Sequence, residues 1–240
     1  MTPTPTLSAT TVLAEYFKEP AYMPVSRLRG FLAPVIPRVL RPRARLWATD
    51  LLRPIARRRA RRLATRTPLQ LHLGCARDRK SGWINVDLVG DGADLFWNLL
   101  RPLPFADASA DAIFHEHVLE HFDFAAALNF CSECHRLLKR EGTMRIVVPD
   151  AEECLERYCR GELAPAQEPA VRRPTALLAA QELFFRFGHR SAYDFETLRL
   201  LLRSVGFREI RRSAFGQGRL GALADSAHRR EGSLYCEAAK

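Results

Sequence analysis

One stretch constrains the fold more than any other: Leu69-Gln-Leu-His-Leu-Gly-Cys-Ala-Arg-Asp-Arg-Lys-Ser-Gly-Trp-Ile-Asn-Val-Asp87. The alternating Leu69, Leu71 and Leu73 read as a buried strand over 69–73 that runs into Gly74. A glycine at the carboxyl end of a parallel strand lets the backbone turn sharply and a ligand approach closely. A second strand, 83–87, ends in an acid. An ionised carboxylate is acceptor-only and can take both hydroxyls of a ribose. Strand, glycine turn, strand and acid together make a nucleoside-binding arrangement at the carboxyl edge of an open α/β sheet. Only eight residues, Cys75 to Gly82, separate Gly74 from Trp83. A parallel crossover normally takes a dozen or more, so the first helix is expected to shrink to a turn or to move.

Beyond this stretch strands and helices alternate. The patterning predicts strands at 93–97 and 111–115, a helix at 125–139 and a strand at 143–148. Helices follow within 151–187, then a helix at 195–204 and strands at 207–213 and 233–238. Such alternation implies an α/β domain with a mostly parallel sheet and helices on both faces.

Three ordered motifs carry a family resemblance. His72-Leu-Gly-Cys-Ala76 resembles the first motif of class I S-adenosylmethionine-dependent methyltransferases. Leu103-Pro-Phe-Ala-Asp-Ala-Ser-Ala-Asp-Ala-Ile-Phe-His-Glu-His-Val-Leu-Glu-His121 resembles the stretch around their fourth strand. Glu133-Cys-His-Arg-Leu-Leu-Lys-Arg-Glu-Gly-Thr-Met-Arg-Ile-Val-Val-Pro-Asp150 resembles their next helix, glycine turn and fifth strand. The likeness covers 69–150 closely and 189–239 more loosely. It is to the type 11 group, in a bacterial subgroup whose first crossover is compressed. It implies a doubly wound, mostly parallel seven-stranded sheet, a Rossmann-like methyltransferase fold, whose last two strands form an antiparallel edge. It also implies an enzyme with S-adenosyl-L-methionine as cofactor.

Residue by residue, the resemblance places Leu73, Gly74, Cys75 and Ala76 along the methionine part of the cofactor and His115 nearby. It places Asp87 on the ribose hydroxyls, Leu88 beside the adenine, and Leu99 packed on the base. Asn98 stands where the family has an Asp contacting the adenine amine; its amide carbonyl can accept the same bond.

Methyl transfer asks mainly for alignment of nucleophile, methyl carbon and sulfur. A base is needed when the acceptor is a hydroxyl or a protonated amine. Candidates cluster at His115, Glu116, His117, Glu120 and His121. His117 and His121, four apart, are expected to share one face of a helical turn, as a base dyad with a glutamate or as a metal pair. No third ligand stands at motif spacing, so no metal is expected. Gly188-His-Arg-Ser-Ala-Tyr-Asp194 resembles the family's late His-x-x-x-Tyr-Asp segment, which brings His189 and Tyr193 to the acceptor pocket. Asp194 reads equally as a helix N-cap.

The net charge of +10 is unevenly spread: residues 1–67 hold 14 Lys+Arg against 3 Asp+Glu, and the rest of the chain is nearly neutral. The domains are therefore a basic, proline-interrupted helical extension at 1–67 and a catalytic domain at 68–240, with a helical lid at 151–190. Three uses of the extension compete: helices packed on the domain over the cofactor, an arm for an anionic membrane surface (residues 25–66), and a nucleic-acid arm. The last is disfavoured, because the basicity stops at the extension and no Asn-Pro-Pro-Tyr motif is present. Cys131-Ser-Glu-Cys-His135 matches the spacing of covalent haem attachment, but it sits in an amphipathic helical pattern and reads as core thiols. No secretory pattern opens the chain and no run of 18 apolar residues occurs, so a cytoplasmic protein is expected, peripheral to the inner membrane face if the arm binds lipid. The expected acceptor is a small molecule or a glycan or lipid-linked compound. The alternatives are a methyltransferase-like scaffold without turnover and a nucleic-acid methyltransferase.

Overall fold

The computed structural model describes residues 47, 49–88, 92–163 and 175–240. The expected helices within 1–46 and the centre of the 151–190 segment lie outside these residues.

The helix α1 (Arg53–Leu63) carries Pro54 in its first turn, where a missing N–H costs nothing. Its Ala60 is fully buried, and Ala56 and Leu63 pack on the main core. Arg57, Arg58, Arg59, Arg61 and Arg62 point to solvent. At its start Arg53 lies over the Trp97 ring at 5.9 Å.

The sheet strands are β1 (Gln70–Leu73), β2 (Ile84–Asp87), β3 (Leu95–Phe96), β4 (Ala110–Glu116), β5 (Leu138–Pro149), β6 (Glu209–Ser213) and β7 (Ser233–Ala239). They run in the order β3-β2-β1-β4-β5-β7-β6. Only β7 is antiparallel to its neighbours, β5 and β6. The seven strands and the antiparallel edge are those implied by the family likeness. The central strands are buried on both faces, as a parallel sheet requires. One face packs Leu71, Ile113, Phe130, Leu137, Leu198 and Leu202. The other packs Trp83, Phe114, Val147 and Tyr235.

Between β1 and β2 there is no helix; residues 74–83 form turns. A single side chain organises them. Asn85, on β2 and fully buried, accepts from Lys80 N–H (2.8 Å) and faces His72 Nδ1 at 3.0 Å. Its amide group donates to the carbonyls of Lys80 (3.0 Å) and Trp83 (3.1 Å) and to Asp94 (2.9 Å). Asp94 also takes the Asn85 backbone N–H (2.9 Å) and pairs with Arg79 at 2.8 Å. The short crossover thus satisfies its backbone through one interior amide instead of a helix.

The helix α2 (Phe124–Leu137), N-capped by Asp123, ends two residues earlier than expected. Leu138 already pairs with Ala110, so β5 starts five residues before the expected strand and absorbs the anticipated glycine turn. Gly142 is needed there: a Cβ would sit 3.1 Å from the Ala110 carbonyl and 2.8 Å from a Leu138 methyl. Cys131 and Cys134 are buried in α2, with thiols pushed far up by burial, which matches core packing.

The remaining helices are α3 (Ala151–Cys159), capped by Asp150, and α4 (Ala176–Phe185), capped by Thr175. They are followed by α5 (Phe195–Ser204) and the short α6 (Gly221–Ala224). Asp194 caps α5 through a 2.7 Å bond from Thr197 N–H. Among the described residues no helix is long and apolar enough to cross a membrane.

Candidate functional site

Because β1, β2 and β4 are parallel, Gly74, Asp87 and His117 reach the same edge of the sheet. This is the edge at which open α/β sheets bind ligands. A groove lined by Thr143, Glu209, Arg211 and Glu237 lies instead toward the amino end of β5, on the wrong edge for such a ligand.

Gly74 has φ +76, and a Cβ on it would come within 2.2 Å of a Val118 methyl. Glycine is therefore demanded twice, by the backbone turn and by the side chain that follows β4. The turn continues through Ala76 (φ +43), whose N–H donates to Asp87 Oδ2 at 2.7 Å. Cys75 between them is 1% exposed, and burial together with the neighbouring Asp87 pushes its thiol up to about 12, so it acts as an inert packing group. Leu73 is fully buried beneath the turn. Leu88 and Leu99 are half-buried on the apolar flank.

Asn98 is half-buried, and its carbonyl accepts the Leu100 N–H at 3.0 Å, so it shapes the turn after β3. His115 does not reach the edge. It is fully buried on β4, its ring meets Phe130 at 5.2 Å, and neither nitrogen has a hydrogen-bond partner. Burial holds its pKa down to about 4, so it stays neutral.

The segment after β4 departs from the expected helical turn. His117 has φ +53, and only Leu119–His121 forms a 3-10 turn. His117 and His121 consequently face different neighbours. His117 Nδ1 lies 3.2 Å from Glu120 Oε1, and its Nε2 lies 3.1 Å from Ser233 Oγ at the start of β7. His121 meets His189, with ring centroids 5.1 Å apart. Glu120 is 1% exposed.

The late segment is tied to this turn by backbone. Arg190 and Ser191 N–H both donate to the Glu120 carbonyl, at 2.8 and 3.2 Å. Ser191 Oγ bonds the Phe122 carbonyl at 2.9 Å and the Tyr193 hydroxyl at 3.1 Å. Tyr193 itself is 1% exposed, and burial raises its hydroxyl to about 12. Its placement is that of a buried anchor, whereas His189 stands at the site. Sequence reasoning missed Ser233, which no motif marks, and Asn85, whose signal was an amide inside an apolar strand.

Residues 77–146 match the family model described as a methyltransferase domain. Over this stretch the chain carries a methyltransferase-type domain. Among solved structures, it is similar to a SAM-dependent methyltransferase from Archaeoglobus fulgidus at 18% identity and TM-score 0.46, covering 82% of this chain and 94% of the other. It is also similar to the 1,6-didemethyltoxoflavin-N1-methyltransferase of Burkholderia thailandensis at 16% identity and TM-score 0.46, covering 100% and 93%. No curated protein matches the chain. The residues at this edge of the sheet fit the cofactor's nucleoside: a half-buried carboxylate ends β2, Leu88 follows it, and Gly74 bares the backbone at the end of the neighbouring strand.

Proposed function

We propose that the methyltransferase domain methylates a hydroxyl of a small-molecule, glycan or lipid-linked acceptor, with His117 as general base. The observation that carries this is the contact of His117 with Ser233 and Glu120. When bound, S-adenosylmethionine supplies a methyl group on a readily leaving sulfonium. Asp87 accepts the ribose hydroxyls, Leu88 and Leu99 flank the adenine with Asn98 at its amine, and the 74–76 backbone lies along the methionine part. Glu120 meets His117 at Nδ1 and so requires the proton there, which leaves the Nε2 lone pair facing Ser233. Ser233 supplies the hydroxyl that Nε2 now accepts. An acceptor hydroxyl taking that place hands its proton to Nε2 as its oxygen attacks. The helices α3 and α4 act as the lid over this acceptor.

The exposed Trp47, Leu51, Leu52 and Ile55, next to the five exposed arginines of α1, favour an anionic membrane surface as the place of work. Methyl-tritiated cofactor, offered with polyol, glycan and lipid-linked glycan panels, tests the reaction. Label should enter a hydroxyl-bearing acceptor, and His117→Gln should lower kcat by about 100-fold or more with cofactor affinity unchanged. Full activity in that variant removes the base, and no cofactor binding at millimolar ligand removes the reaction. Sedimentation with phosphatidylserine vesicles tests the surface; no binding at low salt rejects it.

A further inference from the structure

The turn after β4 holds a second chemical arrangement. One ligand atom each from Glu120, His121 and His189 can be chosen so that all three lie within 4.8 Å of one another. In a tetrahedral set with bonds of about 2.1 Å, neighbouring donors lie about 3.4 Å apart, so closing the set takes at most about 1.4 Å of movement. Glu120 is 1% exposed; His117 Nδ1 meets one of its oxygens at 3.2 Å, and the other oxygen has no hydrogen-bond partner. A buried carboxylate in that state is costly until a cation meets it.

The histidines are prepared for the same role. His189 Nδ1 lies 2.8 Å from the Leu183 carbonyl, so Nδ1 carries the proton and Nε2 offers its lone pair. A carbonyl behind a ligating imidazole is the usual means of fixing its tautomer and direction. His121 Nδ1 lies close to Gly188, 3.9 Å from where a Cβ on that glycine would stand. The two bonds from Arg190 and Ser191 to the Glu120 carbonyl hold the two ligand segments together without any metal. Two imidazoles and one carboxylate suit the borderline-soft ions of the first transition row better than magnesium or calcium.

We infer that Glu120, His121 and His189 bind a divalent first-row transition-metal ion. The binding does not rest on the methyl-transfer reading; only the ion's role does. There, the ion takes an acceptor hydroxyl oxygen as a ligand and makes its proton easier to remove. The proton passes to His117, the oxygen–methyl bond forms, and the methyl–sulfur bond breaks with its electron pair left on sulfur.

The test is calorimetric titration of the chelator-treated full chain with Co²⁺ and with Zn²⁺, Mg²⁺ as control, together with the visible spectrum of the Co²⁺ form. S-adenosylmethionine is titrated in parallel. One equivalent of Co²⁺ should bind with a ligand-field spectrum, and His189→Gln and Glu120→Gln should each weaken it by at least about tenfold. His228→Gln, in the half-exposed Asp78–Glu116–His228 group, should leave it unchanged. No saturable binding overturns the inference, as does binding that survives in His189→Gln or disappears in His228→Gln. If Glu120→Gln does not fold, His189→Gln decides alone, since its ring is half-buried on a turn. Cofactor binding without metal binding overturns only the ion site; metal binding without cofactor binding overturns only the methyl-transfer reading.

Discussion

Arg145 and Asp225 face each other through two 2.6 Å hydrogen bonds, with side chains 0% and 1% exposed. Arg145 sits on β5 and gathers the loop before β7: it also donates to the carbonyls of Gln217 (2.8 Å) and Ala214 (3.0 Å), and Glu237 lies 3.3 Å away. Its guanidinium lies 5.2 Å from the centre of the Tyr235 ring. Removing one partner leaves the other charge buried and unpaired. Arg145→Met is therefore expected to cost about 3–5 kcal/mol. Arg145→Met/Asp225→Leu should cost less than the two single variants summed. Urea unfolding of the three variants checks both statements; strict additivity would mean that the pair is not coupled.

Asn85 should be as unforgiving. Asn85→Ala strands the Lys80 N–H, two carbonyls and part of Asp94 in the interior. A loss of about 3 kcal/mol is expected, since each orphaned buried group costs about 1–3 kcal/mol. Asn85→Asp should be no milder, because it sets a second carboxylate against Asp94. Chemical denaturation measures both, and a near-native midpoint for either would show that the crossover does not depend on this amide.

Alongside His115, His72 carries part of the pH dependence of stability. Burial, opposed by its bond to Asn85, lowers its pKa to about 4 from 6.5. The unfolded imidazole takes its proton near pH 6.5 and the folded one only near pH 4, so protonation favours the unfolded chain. This group leaves stability unaffected above about pH 7 and removes about 3 kcal/mol as the pH falls from 6.5 to 4. His72→Gln should flatten the stability–pH curve by up to one proton across that window. An unchanged slope would place the titration elsewhere.

Asp87 is expected to carry much of the cofactor's affinity. Losing a charge-assisted hydrogen bond costs about 1.5–3 kcal/mol, so Asp87→Ala should raise the dissociation constant for S-adenosylhomocysteine by more than about tenfold. Calorimetry gives the answer directly, and an unchanged constant removes Asp87 from the site. The same substitution also frees the Ala76 N–H, so a thermal melt should accompany the titration.

What could be read from the chain and what could not divide along physical lines. Gly74, the alternating leucines and the acid at 87 are local signals, and they located the parallel core and the compressed crossover. The boundary between α2 and β5 was missed because it is set by cross-strand pairing of Leu138 with Ala110, which no local propensity reports. Arg145 was passed over for a similar reason: a charged residue inside Met144–Val148 makes sense only when Asp225 arrives from a distant loop. At the site, spacing alone grouped His117 with His121. The left-handed backbone at His117 separates them, and the chain fold replaces that pair with His121 and His189.

The helix-free crossover has an evolutionary corollary. Its folding instructions are concentrated in one interior amide, while Arg77, Asp78 and Ser81 stand at the surface. A helix would have spread the same requirement over every turn and every facing side chain. Here the outer loop beside the cofactor edge can drift widely in sequence at small cost, while position 85 can scarcely change at all. Diversity and constraint are thus sorted residue by residue within a single short connection.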